Sequence, residues 1–171
     1  MRTNFIPAAL AAVAIHLFAN PDVHAQGTIF LSNLGQPSSE SLPVGSDSWY
    51  AEEFSAGTNS SVYALNAIQV VMGGASGNPN GFMVSLHTNA TGGFGSVPGG
   101  SVGQLIGPSA PEANGVYTYT AVSPIMIERN VSYYIVVTAG TPVTTGAYPW
   151  STASVFSYAS PDGWLAGPTR R

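Results

Sequence analysis

Apart from its first 25 residues, the chain has one histidine, His87, and a thin scatter of acids with which to do acid–base or nucleophilic chemistry. A serine or threonine nucleophile needs a base beside it. His87 lies in GFMVSLHT, at a polar position of an alternating pattern, and no Gly-x-Ser-x-Gly elbow occurs. On its own it reads as a surface or interface histidine. A Ser–His–Asp set built on it would make a hydrolase, an alternative that nothing in the spacing favours. Paired carboxylates are the other route to hydrolysis. Glu52 and Glu53 are adjacent, so in a strand they point to opposite faces and cannot share a substrate. Glu40, Glu112, Glu128 and Asp162 are scattered, with Glu128-Arg129 reading as a turn. A structural calcium ion of the kind jelly-roll modules hold could draw on Asp47, Glu52 or Glu53, but no dense Asp/Asn loop surrounds them. No catalytic residue and no cofactor are therefore expected.

Aromatic residues suggest a different chemistry. Sugar-binding sandwiches stack the C–H face of a pyranose on Trp or Tyr, and the candidates are Trp49, Tyr148, Trp150 and Trp164, with Tyr50 beside Trp49. The competing reading is core packing, because aromatic side chains favour strands and buried positions. Trp164, in the Gly/Pro-rich ending SPDGWLAGPTRR, is expected to be the most exposed.

The glycine-rich stretch GGFGSVPGGSVGQLIG, residues 92–107, raises the question of a phosphate cradle. A P-loop needs a lysine to reach the phosphates, and the chain has none. A dinucleotide fingerprint needs a third glycine before a helix, whereas Pro98 stands there and no helical period follows. Nucleotides are excluded, and the stretch reads as a loop.

Charge excludes a further class. Only 7% of residues are charged, against roughly 25% in an average soluble domain. With Arg129, Arg170 and Arg171 as the only cations after residue 25, the chain cannot neutralise a nucleic-acid backbone. Arg2, an apolar run over Phe5–Ala19 and the small-x-small site Val23-His24-Ala25 form a signal peptide over residues 1–25. Its apolar run is short for a spanning helix, and no transmembrane helix is expected in the mature chain. The protein is expected to be exported and then secreted, periplasmic or held at the cell surface. No cysteine is present, so a hydrophobic core must replace disulfides.

The elements that must position these residues are strands. Apolar residues alternate or run in β-branched and aromatic clusters, broken by Gly, Pro, Asn and Ser, with no sustained helical period. Candidate strands are Thr28–Leu34, Trp49–Phe54, Val62–Met72, Gly81–Thr88, Val102–Ile106, Val116–Ala121, Ile125–Ile127, Ser132–Thr138, Ala147–Ser151 and Val155–Tyr158. SYYIVVTA is apolar on both faces and is expected to be central. The fold class is all-β: an antiparallel β-sandwich or jelly roll over residues 26–160, followed by an irregular tail over 161–171.

The order of WYAEEFSAG, YALNAIQVVM, GFMVSLHT, PGGSVGQLIG, GVYTYTA, IMIERNVSYYIVVTAG and YPWS resembles the choice-of-anchor R domain of exported bacterial proteins, from about Asn33 to about Ser151. The resemblance implies a β-domain of a surface or matrix protein with no assigned reaction, of a type that often carries a PEP-CTERM sorting tail. SPDGWLAGPTRR has no Pro-Glu-Pro motif and no hydrophobic tail. The expectation is either release without an anchor or a shortened sequence, the latter leaving a sandwich edge unpaired. Together these readings give a non-catalytic exported surface, matrix or interaction module, with an extracellular polysaccharide or a cell-surface protein as partner. A carbohydrate-binding jelly roll is the alternative.

Overall fold

A strand that alternates apolar and polar residues has one face to bury, and a sheet of such strands must fold onto itself or onto a second sheet. The computed structural model of the chain, which describes residues 28–58, 62–92, 95–153 and 162–170, follows that rule with ten strands and, among those residues, no helix. They are β1 (Ser38–Val44), β2 (Tyr50–Ser55), β3 (Tyr63–Met72), β4 (Ser76–Gly77), β5 (Met83–Gly92), β6 (Gly95–Ile106), β7 (Gly115–Ile127), β8 (Ser132–Thr138), β9 (Gly146–Ala153) and β10 (Leu165–Arg170). Every pairing is antiparallel, in the order β1-β9-β3-β7-β6-β5-β8-β2-β10, with β4 on β9.

The sheet curls where β6 meets β7, through Leu105↔Ala121 and Ile106↔Thr120 alone. One layer is β1-β9-β3-β7 and the other is β6-β5-β8-β2-β10. Their inner faces share one hydrophobic core, as in a β-sandwich. Aromatic pairs cross the gap. Phe82 lies 5.4 Å from Tyr148 and 5.8 Å from Tyr119, and Tyr63 lies 4.9 Å from Trp164.

β8 is central, between β5 and β2. Tyr133 and Val137 face the main core, while Tyr134 and Val136 are buried with Ala51 on the other side. Glu128-Arg129 turns as expected, and the αL conformation this reversal needs falls on Asn130 (φ 57°), a residue type that tolerates it.

Four expectations are corrected. Thr28–Leu34 is not a strand: residues 28–33 are irregular and Phe30 wedges into the core, 5.2 Å from Trp164 and 4.8 Å from Tyr63. The glycine-rich stretch is not a loop, for Gly92 closes β5 and Gly95 opens β6. Inside β6, Gly103 lies against Ile125: a Cβ there would stand 2.8 Å from the tip of that side chain, which would have to shift to admit it. The expected break between Val116–Ala121 and Ile125–Ile127 is absent, because a register shift between Leu65 and Ala67 of β3 lets β7 run through. Last, residues 165–170 are not an irregular tail but β10, paired with β2. Expected strand Val155–Tyr158 lies outside the described residues.

Candidate functional site

Three of the four aromatic candidates are structural. Tyr148 is fully buried on β9 and its hydroxyl donates to the Pro79 carbonyl at 3.0 Å. Trp150, 4% exposed, stands in register with Leu42 of β1 and Met72 of β3. Trp164 is 5% exposed, stacked between Phe30 and Phe54 (6.1 Å), which overturns the expectation that it is the most accessible. A sugar ring cannot reach these three without opening the core. Trp49, just ahead of β2, is 41% exposed and is the one accessible indole of the four candidates.

The acids do not converge. Asp47 Oδ1 accepts from the Val143 amide at 2.8 Å and so braces one loop against another. Glu53 accepts from the Tyr134 hydroxyl at 3.1 Å on the outer side of β2. Glu52 alternates with Tyr50 and Phe54 and faces the interior, where burial pushes its carboxyl up to about 7. Among the described residues no three potential ligands gather around one point. His87 occupies the outer face of β5, as its polar position in GFMVSLHT requires.

The outer face of β3, β7 and the end of β6 was not singled out by any motif. In GVYTYTAV the tyrosines turn inward, Tyr119 to full burial, and leave Val116, Thr118, Thr120 and Val122 outside. Register then assembles their neighbours. Val116 stands opposite Val71, Thr118 opposite Gln69, and Thr120 between Ala67 and Ile106. Gln69 Nε2 donates to Thr118 Oγ1 at 3.1 Å, fixing both side chains in the plane of the face. Val122 and Ile106 are 71% and 61% exposed, and Met126 extends the row past Ala64. None of these residues is charged. At the Ile106 corner the face runs into a hollow of about 370 Å³ between the start of β5 and the end of β6, with Phe82, Met83, Gln104, Leu105, Ser109 and Tyr119 among its walls. The Tyr119 hydroxyl donates to the Pro108 carbonyl at 2.8 Å. Burial, then Tyr117 and Tyr148, hold that hydroxyl well above its ordinary range.

The signal for this face was present in Thr-x-Thr flanked by valines. What no single strand could show was the register that lays Gln69, Ile106 and Ala67 beside it. Comparison with family models, with curated proteins and with solved structures finds no match to this chain.

Proposed function

We propose that the protein is an exported, non-catalytic surface or matrix module that associates with further copies of itself through the uncharged outer face of β3, β7 and the end of β6. One observation carries this reading: large aliphatic side chains stand exposed side by side on that face, interleaved with Thr and Gln and with no charge among them. Ile106, Val116, Val122 and Met126 expose together roughly 400 Å² of mostly apolar surface, a patch size that marks interaction sites. Ala67, Gln69, Thr118 and Thr120, all exposed, widen the face beyond those four side chains. The same face on a second copy is its natural complement, since neither side asks the other to bury an unpaired charge. The signal-type N-terminus and the resemblance to the choice-of-anchor R domain support export and a surface or matrix setting.

The test is sedimentation of the purified protein over a hundredfold range of concentration, with Val122→Glu and Met126→Glu beside the parent. The parent should self-associate, more strongly in sulfate and little changed by sodium chloride, as apolar contact requires. Each glutamate should abolish association while shifting stability by less than about 0.5 kcal/mol, because the positions are exposed. A parent that stays monomeric throughout overturns the self-association. Retention of that monomer on a neutral polysaccharide, lost in both variants, would give the face to a glycan instead.

A further inference from the structure

The outer face of β5 carries a second constellation, in the other layer of the sandwich. Alternation sends Val84 and Leu86 into the core, so Ser85 and His87 stand together outside. The β5–β6 register slips on both sides of His87, between Leu86 and His87 and again between His87 and Asn89. Bulges re-aim a side chain, and this imidazole has Nδ1 2.9 Å from the Gly99 carbonyl oxygen and Nε2 3.0 Å from Ser85 Oγ. The backbone can lie this close because residue 99 is glycine: a Cβ there would meet Thr88 Oγ1 at 2.7 Å.

These two distances assign the protons. A carbonyl oxygen only accepts, so Nδ1 must carry the ring hydrogen. In the neutral ring Nε2 is then a lone pair, and the Ser85 hydroxyl donates to it. A hydroxyl within hydrogen-bond reach of a base, with the base oriented by a third group, is the arrangement of an activated nucleophile. Here the Gly99 carbonyl fills the orienting role that a carboxylate plays in a Ser–His–Asp triad. Tyr134 stands across from His87 on β8, and its hydroxyl donates to Glu53. Both side chains remain partly exposed.

We propose that Ser85 is a covalent acceptor for activated acyl groups, with His87 as its general base. In the step with an aryl ester, Ser85 Oγ forms a bond to the carbonyl carbon while its proton passes to His87 Nε2. The bond to the phenolate leaving group then breaks, and the imidazolium returns the proton to the departing phenolate. The products are acyl-Ser85 and a phenol. The acylation is stoichiometric, one group per chain with no turnover, so it adds a covalent attachment point to a non-catalytic module and shares no residue with the contact face.

The test treats the purified full-length protein with a fluorophosphonate, where Ser85 Oγ would displace fluoride at phosphorus and the proton would leave through His87. Intact mass should rise by one phosphonyl group per chain, and peptide mapping should place it on Ser85. Ser85→Ala should abolish labelling, His87→Gln should slow it about 100-fold, the scale of a lost general base, and Ser109→Ala should leave it unchanged. p-Nitrophenyl acetate should give a burst of one p-nitrophenol per chain in the parent alone. Mapping on the parent needs no variant to fold. Absence of label, label on another residue, or parent-rate labelling of a folded His87→Gln protein would each overturn the proposal.

Discussion

Glu52 gives the sharpest way to perturb the core without removing an atom from it. The carboxyl sits on the inner face of β2 between Tyr50 and Phe54, opposite Ile135 of β8, and burial raises it from 4.5 to about 7. Between those two values the folded chain holds a proton that the unfolded chain has given up. Stability must therefore fall as pH rises through this window and reach its lower plateau above pH 7. The shift corresponds to about 3 kcal/mol, a sizeable part of a domain's total stability. Glu52→Gln keeps the shape and removes the ionisation, so the variant should match the parent near pH 4.5 and exceed it by about 3 kcal/mol at pH 8. Urea unfolding followed by far-ultraviolet circular dichroism at five pH values from 4.5 to 8.5 would measure the difference. In thermal melts at pH 8 it should appear as a gain of roughly 6–12 °C for a chain of this size. Parallel stability curves, with a difference that does not change with pH, would refute the argument. They would mean that Glu52 ionises in the fold as freely as in water.

Two further perturbations probe how the aromatics are invested. Trp164→Ala removes the indole that Phe30, Phe54 and Tyr63 pack around and should cost about 3–5 kcal/mol in urea unfolding; a loss below about 1 kcal/mol would mean that the indole is not seated in the core. Acrylamide should quench the emission of Trp49 while Trp150 and Trp164 stay protected, and Trp49→Phe should remove the quenchable component. Gly77 is held at φ 65° with its missing Cβ 2.5 Å from the Thr145 carbonyl, whereas the nearest atom to a Cβ on Gly74 is 3.6 Å away. Alanine should therefore cost about 1–3 kcal/mol at residue 77 and clearly less at residue 74 in the same unfolding assay.

Much of the fold was legible because alternation survives in the strands that bury most. GFMVSLHT announced an inner Val84–Leu86 row and an outer Ser85–His87 row, and SYYIVVTA announced a strand covered on both sides. The strands that were missed or read as loop share a physical cause: their stability comes from a neighbour and not from their own apolar content. β1 offers only Leu42 and Val44 to the core and is otherwise a polar edge laid on β9. β6 holds its glycines inside a ladder because β5 and β7 pair with it, and at residue 103 the Ile125 side chain occupies the space a Cβ would take. β10 hides behind Gly163 (φ 76°), Gly167 and Pro168, which read as tail, while the indole of Trp164 docks it. The site was less legible still. Whether an aromatic faces a ligand or the core depends on which layer lies opposite, so Tyr148, Trp150 and Trp164 could not be separated from Trp49 by their letters. The Gly99 carbonyl that orients His87 is a backbone atom, and no residue type announces it.

The same scarcity of charge that leaves one face bare also constrains the sheet edges. An exposed edge strand recruits other strands, and proteins commonly blunt it with lysine. This chain has no lysine to spend there. Among the described strands the two ends of the sheet path are β1 and β10, and each carries a proline, Pro43 and Pro168, which has no N–H to offer a further strand. On β1, Glu40 adds a charge, and the register with β9 slips between Ser38 and Glu40. On β10 the register slips around Pro168, between Ala166 and Thr169. Edges disarmed in this way direct association toward the faces of the sandwich. The consequence is geometric: edge-to-edge pairing adds strands without end, whereas one face meeting its own copy closes after two chains. An uncharged face combined with proline-guarded edges thus favours a finite, isologous contact over a growing fibril.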